Sequence, residues 1–171
     1  FIDPHADEYL SEYTPACAER LEWISGFTGS SGMAAILLDK ALALTDGRYA
    51  IQIKEQVDAS LYEIADMANM SLVDWIKNHV KSGHVIGYDP QLHTQKQIVD
   101  MLEKLTGTGI ILKPVLNNPI DTIWQDRPSA PQGMVDLFPD KIAGKTSLEK
   151  RQMIADKLKA DKVDAVILTA S

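Results

Sequence analysis

Hydrophobic positions along the chain follow two alternating periods, one typical of buried strands and one of helices that are apolar on one side. Short apolar runs predict strands at residues 33–38, 41–45, 61–65, 85–90 and 110–115. The first two runs are joined by Asp39 and Lys40, which predicts a β-hairpin. Apolar residues three and four positions apart predict helices at residues 13–26, 48–57, 71–80 and 94–107. Helices alternating with buried strands indicate an α/β domain whose mixed sheet is flanked by helices.

Polar residues mark where several of these helices begin and end. Thr14, followed by Pro15, predicts the start of the first helix, and Gly26 predicts its end. Ser71 with Asp74 and Thr94 with Gln97 are spaced as capping boxes. In the helix after Thr94, the predicted buried positions are Ile98, Met101, Leu102 and Leu105.

The regular alternation stops after Val115, in a proline-rich stretch. One short helix is predicted near residues 120–124, a capping box at Thr146 and Glu149 opens another helix, and residues 164–170 predict a buried strand. We therefore expect one domain at 1–115, a connector at 116–145, and the truncated start of a second, similar α/β domain at 146–171. The opening residues "FIDP" likewise look like a strand whose beginning is missing.

Composition excludes several classes of function. The chain has 171 residues, 45% of them hydrophobic, and a formal net charge of −7. An acidic chain is a poor partner for nucleic acid, and no apolar run approaches the ~20 residues of a membrane span. Cys17 is the single cysteine, so no internal disulfide is possible.

The stretch "ISGFTGSSG" at residues 24–32 resembles a phosphate-binding loop, but its context is reversed. Such a loop follows a strand and opens a helix, whereas here a helix precedes the glycines and a strand follows. We expect Gly26 to end the helix, and Gly29 and Gly32 to form a tight entry into the strand.

Two charged groups raise further candidate sites. Asp46 is a natural cap for the next helix, while Arg48 in its first turn opposes the helix dipole. Arg48 is therefore either a solvated charge or the partner of an anion elsewhere. The acidic and imidazole groups near the front of the chain lack a metal-ligand spacing, and we interpret them as a hydrated surface loop: His5, Asp7, Glu8 and Glu12.

Longer motifs resemble the N-terminal region of Xaa-Pro aminopeptidase (aminopeptidase P). They are "SEYTPACAERLEWISGFTGSSGMAAILLDKALALTDGRYAIQ", "IGYDP", "IDTIWQDRPSAP" and "IAGKTSLEKRQMIADKLKADKVDAVILTAS", in order over nearly the whole chain. The most specific pieces are the S-E-Y, S-G-F-T-G-S, T-D-G-R-Y and I-W-x-D-R-P runs. One departure is Tyr9, where the family usually has His.

This resemblance implies a creatinase/prolidase-type first domain, with a layout like that of ribonuclease H, in a cytoplasmic metallopeptidase. The parent enzyme would remove the N-terminal residue that precedes proline, using a dinuclear metal site, usually manganese, in a catalytic domain outside this sequence. No catalytic or metal-binding residue, and no cofactor, is then expected in the fragment itself, which should be inactive alone.

The resemblance also implies that the first domain supports a dimer or tetramer and presents a loop towards the neighbouring active site. The positions that would form this loop are Phe27, Thr28, Gly29 and Ser30, with Asp46, Arg48 and Tyr49 beside it. The expected partners are the parent's own catalytic domain, a second copy, and peptides with proline in the second position.

Two other functions stay open from the sequence. The first is a binding module of the same fold without peptidase activity, for which acidic charge would suit a basic partner. The second is a nuclease with a ribonuclease H-like sheet, using carboxylates such as Asp39, Asp46 or Asp89.

Overall fold

The structure, a computed structural model, describes residues 1–168 and forms two compact units, residues 1–130 and residues from Pro131 onward. The first unit contains a six-stranded sheet: β1 (Ile2–Pro4), β2 (Gly32–Ile36), β3 (Ala41–Thr45), β4 (Tyr62–Asp66), β5 (Val85–Tyr88) and β6 (Ile111–Pro114). The strand order is β4-β3-β2-β1-β5-β6. Only β2 runs against its neighbours, so the sheet is mixed, and the predicted fold class is confirmed.

Helices cover both faces of this sheet. In the first unit they are α1 (Arg20–Ser25), α2 (Gln52–Gln56), α3 (Leu72–His79), α4 (Gln95–Leu105) and α5 (Pro119–Ile123). Successive strand residues point to opposite faces, which is why Leu42 and Leu44 pack on the same side as Trp75 of α3. Ala43, between the two leucines, packs on the other side with Leu21 and Phe27.

The predicted hairpin and most predicted helix starts are confirmed. β2 pairs antiparallel with β3, and Gly26 ends α1 in the left-handed conformation at φ 78°. Capping boxes form at Thr94 and Thr146, as expected, because each hydroxyl accepts the N–H three residues later and the Gln97 or Glu149 side chain accepts the N–H of the capping residue. Ser71 caps α3 through the Asp74 N–H, but the Asp74 carboxylate accepts the Ser71 hydroxyl rather than its N–H, so the predicted capping box is wrong there.

The first two predicted helices begin later than expected. Residues 16–18 form a single 3₁₀ turn, and α1 starts only at Arg20. The hydroxyl of Thr14 donates to the Glu19 carboxylate and accepts no backbone N–H, so Thr14 caps neither the 3₁₀ turn nor α1. Residues 48–57 divide into a 3₁₀ turn at Gly47–Tyr49 and the short α2, although Ile53 and Val57 are buried as predicted.

The predicted buried stripe of α4 is wrong at Leu102, which is 47% exposed. Leu105 is buried, and Met101 packs at the margin of the core beside α3. Only one side of α4 packs against the core, and Leu102, the next residue after Met101, lies outside that side and faces solvent.

The second unit contains the helices α6 (Asp140–Ala143) and α7 (Ser147–Ala160). The short α6 was not expected from the sequence. Residues 164–168 of the predicted strand 164–170 form no strand, while 169–170 lie outside the described residues. A strand needs a neighbouring strand for its backbone hydrogen bonds, and the described part of this unit contains none.

Candidate functional site

The loop between α1 and β2 is fixed from inside by one aromatic ring. Phe27 is 1% exposed and packs with Leu21 and Ile53, and its ring meets Tyr49 edge-on at 5.9 Å between centroids. A Cβ atom at Gly29 would lie 2.2 Å from Cζ of Phe27, so the chain crosses the ring at a place that only glycine allows. The loop is therefore built over Phe27 and has little freedom to change shape.

Hydrogen bonds fix the outer side of the same loop. The N–H of Thr28 donates to Oε1 of Gln56 at 3.0 Å, and the Thr28 hydroxyl accepts from Gln52 and Gln56 at 2.9 and 2.8 Å. Ser30 and Tyr49 share a hydroxyl–hydroxyl bond of 2.8 Å. Because the Thr28 N–H is already bound, the loop is not a free cradle for phosphate, in agreement with the sequence interpretation.

Arg48 finds its anionic partner two residues away. Its guanidinium donates to both carboxylate oxygens of Asp46, at 3.1 Å from Nε and 2.8 Å from Nη2, and Asp46 also caps the 3₁₀ turn through the Arg48 N–H. Hydrogen bonds from Arg48 and Ser31 hold the pKa of Asp46 well below its usual range. The carboxylate of Asp46 therefore compensates the charge of Arg48, whose position the sequence had marked as unfavourable. The Arg48 side chain is still 68% exposed.

The structure brings all seven predicted loop residues together at one end of the sheet. Phe27 and Gly29 are buried and act as support, while Thr28, Ser30 and Arg48 face solvent. Gln52 and Gln56 belong to the same surface and were not predicted from the sequence. Their spacing of four residues places them on one side of a helix, but nothing in that pattern indicated that this side of the helix faces Thr28.

A second polar group, also missed from sequence, lies buried where α1 meets α5. Arg20 is 2% exposed and donates to Asp121 at 2.6 Å and to Glu8 at 3.1 Å. Arg127 binds the same Asp121 carboxylate at 2.8 Å and donates to the Cys17 carbonyl. We call this set, with the buried groups next to it, the Arg20 cluster: Asp3, Glu8, Arg20, Asp89, Asn118, Asp121 and Arg127. Its signal in the sequence was the longer run I-D-T-I-W-Q-D-R-P-S-A-P, which contains both Asp121 and Arg127.

The front of the chain is only in part the hydrated loop predicted from sequence: Glu8 and Glu12 are exposed, but His5 and Asp7 are not. Asp7 is 4% exposed, and its carboxylate accepts the N–H groups of Tyr9 and Ser11. His5 packs within 3.4 Å of the Glu19 carboxylate, and Glu8 binds Arg20. These groups shape the turn and anchor it to α1, which sequence spacing alone did not reveal.

The carboxylates considered for a nuclease do not converge. Asp39 is exposed in the hairpin turn, Asp46 is held by Arg48, and Asp89 is buried and bound to Asn118. Within residues 1–168 no group of three or more histidine, cysteine or acidic side chains could hold a metal ion. The described residues therefore do not fit a dinuclear metal centre. None of the helices described is long and apolar enough to cross a membrane.

The mixed six-stranded sheet, with helices on both faces, defines an α/β domain. Residues 8–117 match the family model described as the creatinase/prolidase N-terminal domain. The chain belongs to this family.

Relatives extend the similarity beyond those residues. The chain is 34% identical, over 99% of its length, to a probable Xaa-Pro aminopeptidase P from Neosartorya fischeri, and 35% identical to the one from Aspergillus clavatus. It spans about a quarter of their length, 26% in each case.

A solved structure shows the same architecture. The X-prolyl aminopeptidase from Caenorhabditis elegans, described as a cytosolic enzyme with a di-nuclear active site, is 29% identical with a TM-score of 0.83. That similarity covers 94% of this chain and 27% of the other.

Proposed function

We propose that this chain is the N-terminal region of a metal-dependent Xaa-Pro aminopeptidase, which removes the N-terminal residue before a proline. The observation that carries the proposal is the continuous similarity to such enzymes over 99% of the chain, although the chain spans only 26% of their length. Peptides with proline in the second position are then the substrates. The cytosolic setting of the nematode relative supports a cytoplasmic location.

The chemistry of bond cleavage belongs to the rest of the parent protein. The nematode relative has a di-nuclear active site, and we propose a dinuclear centre, of manganese, in the parent's catalytic domain. The role of residues 1–130 is to support assembly and to shape access to a neighbouring active site. Residues 146–171 are, in this proposal, the start of the second α/β domain, since apolar side chains of α7 such as Leu148 and Met153 are exposed.

The loop over Phe27 is the part of the surface that suits such a role. A contact made by a preformed surface loses little conformational freedom on binding, and Phe27, Gly29 and the Thr28–Gln56 bonds preform this one. Arg48 is held by Asp46 yet open to solvent, so its remaining N–H donors can reach an acceptor on a neighbouring subunit or a peptide.

The first experiment is to measure hydrolysis of an Xaa-Pro peptide and of its Xaa-Ala counterpart by the complete parent protein, with and without Mn²⁺. We expect cleavage of the proline peptide that depends on the metal, and no cleavage by the 171-residue chain alone. A complete parent that binds Mn²⁺ but cleaves neither peptide would leave the binding-module function as the better account.

The loop role is tested separately with Arg48→Ala in the complete parent. We expect a weaker oligomer by sedimentation, or a higher KM for the peptide at an unchanged metal content. Lys40→Ala, which removes an exposed cation from the hairpin turn, is the matched control and should change neither. If Arg48→Ala behaves like Lys40→Ala in both measurements, the loop has no role in assembly or access.

A further inference from the structure

Asp3 is a buried acid without a matching donor. Its side chain, on β1, is 0% exposed, and neither carboxylate oxygen accepts a hydrogen bond from the residues that the structure describes. Among the residues that the structure describes, the cation facing it is Arg20 of α1, and the facing acids are Asp89 after β5 and Asp121 of α5. The polar groups facing it are the Asn118 amide, which donates one of its two N–H groups to Asp89 and also lowers the pKa of Asp3, and the phenol of Tyr62 on β4.

Arg20 is already committed to other carboxylates. Its Nε and Nη2 atoms donate to Asp121, and Nη2 also reaches Glu8, which leaves Nη1 as a buried donor without a partner. An ionised Asp3 would be an extra negative charge in a region where the acids Glu8, Asp89 and Asp121 already outnumber the cations Arg20 and Arg127. Burial raises the pKa of Asp3 from 3.8 to about 7, although the Arg20 guanidinium opposes the rise.

The same Arg20–Asp121 pair holds residues 118–128 to α1. Asp121 lies on α5, and Trp124 at the end of α5 stacks on Trp23 of α1 at 5.7 Å between ring centroids. A second attraction on Arg20, from the β1 side, competes with the bonds that keep α5 in place, because Nη1 makes no hydrogen bond to Asp3 and the guanidinium would have to move from its position against Asp121 to form one.

We propose that protonation of Asp3 controls how tightly residues 118–128 pack against α1. The neutral carboxyl leaves Arg20 bound to Asp121. The ionised carboxylate draws Nη1 of Arg20 towards β1, weakens the bond to Asp121 and loosens the stack of Trp124 on Trp23. The contact is thereby strong in mildly acidic solution and weaker in mildly alkaline solution.

The test is an NMR titration of the 171-residue chain between about pH 5 and about pH 9, a range centred on the expected midpoint. Carbon-13 signals report the Asp3 carboxyl, and proton–nitrogen signals report the three indole N–H groups. We expect Asp3 to titrate with a midpoint near 7, and the indole signals of Trp23 and Trp124 to shift with that same midpoint. Trp75 reports the other face of the sheet, where its indole donates to Glu63 and its ring lies 4.6 Å from that of His79, so any change in its signal should be the same in Asp3→Asn.

Asp3→Asn keeps the shape of the side chain but cannot ionise, so its Trp23 and Trp124 signals should show no transition near pH 7. Asp39→Asn, at an exposed turn, is the matched control and should titrate like the unaltered chain. Should Asp3→Asn not fold, the titration of the unaltered chain decides by itself. An Asp3 midpoint near 4, a transition of Asp3 unaccompanied by Trp124, or a Trp124 transition that persists in Asp3→Asn would each overturn the proposal.

Discussion

Gly29→Ala adds a single methyl group at the place where the loop between α1 and β2 crosses the Phe27 ring. The new Cβ would lie 2.2 Å from Cζ of Phe27 and 2.8 and 2.9 Å from its Cε atoms. The ring is enclosed by Leu21 and Ile53, so it cannot swing away without disturbing the core beneath. The backbone at Gly29 does not require the left-handed conformation, so the effect of the change is steric.

The expected cost follows from two opposing effects. Overpacking a well-filled site costs about 1–3 kcal/mol, while replacing glycine by alanine restricts the unfolded chain and returns about 0.4–1 kcal/mol. We therefore expect Gly29→Ala to lower the free energy of unfolding by about 1–2 kcal/mol. With a urea dependence of about 2 kcal/mol per molar, the unfolding midpoint should fall by roughly 0.5–1 M.

Tryptophan fluorescence during urea unfolding is the appropriate assay. All three tryptophans, Trp23, Trp75 and Trp124, lie within residues 1–130, so the signal follows the unit that contains the loop. Gly47→Ala is the matched control. Its nearest non-neighbouring atom would be at 3.8 Å, in ordinary contact, and its midpoint should stay the same or rise slightly.

Phe27→Leu supplies the decisive comparison, because leucine lacks the distal ring atoms with which the methyl group collides. In the Phe27→Leu background, Gly29→Ala should cost clearly less than it does alone, which gives a favourable coupling energy in a double-mutant cycle. The packing argument is refuted if Gly29→Ala matches Gly47→Ala, or if its cost is the same in both backgrounds.

Three further predictions concern charges and caps. Asp121→Asn leaves Arg20 buried without its main partner and should lower the free energy of unfolding, measured in urea, by about 3 kcal/mol. Asp100→Asn, at an exposed pair on α4, is the control and should lower it by less than about 0.5 kcal/mol. Equal losses would contradict the interpretation that burial makes the Arg20–Asp121 pair important. Thr94→Ala removes the cap of α4 and should cost about 1 kcal/mol, and no loss of stability would mean that the capping box is not formed in solution. The contribution of Asp3 to stability should fall as the pH rises from 3.8 towards 7, because folded Asp3 keeps a proton that the unfolded chain releases. Between these two pH values the contribution of Asp3 to the free energy of unfolding should change by about 4 kcal/mol. The difference in stability between the unaltered chain and Asp3→Asn should therefore change with pH over this range, and a difference independent of pH would contradict the prediction.

Local pattern was sufficient wherever the interactions are local. The hairpin at Asp39 and Lys40, the caps at Ser71, Thr94 and Thr146, and the end of α1 at Gly26 depend on groups within a few residues of one another. The prediction from sequence failed where the structure depends on residues far apart in the chain. At residues 164–168 the apolar run has no neighbouring strand in the described part of its unit.

The candidate loop shows the same division. Its seven residues were found from sequence through resemblance, yet their individual roles were not. That Phe27 supports the loop from below, that Gln52 and Gln56 complete it, and that Arg48 binds Asp46 are facts of spatial arrangement.

By itself, the sequence determined the α/β class, the order of the main elements in residues 1–130 and the family, because periodicity, caps and motifs are carried by neighbouring residues. Only the tertiary structure decided the burial and partners of the charges. Arg20 and Asp121 are 101 positions apart, and Asp3 becomes an acid with a raised pKa only when β1, α1, β5 and α5 close around it. The energy of a buried charge depends on every group around it, and that environment exists only in the folded chain.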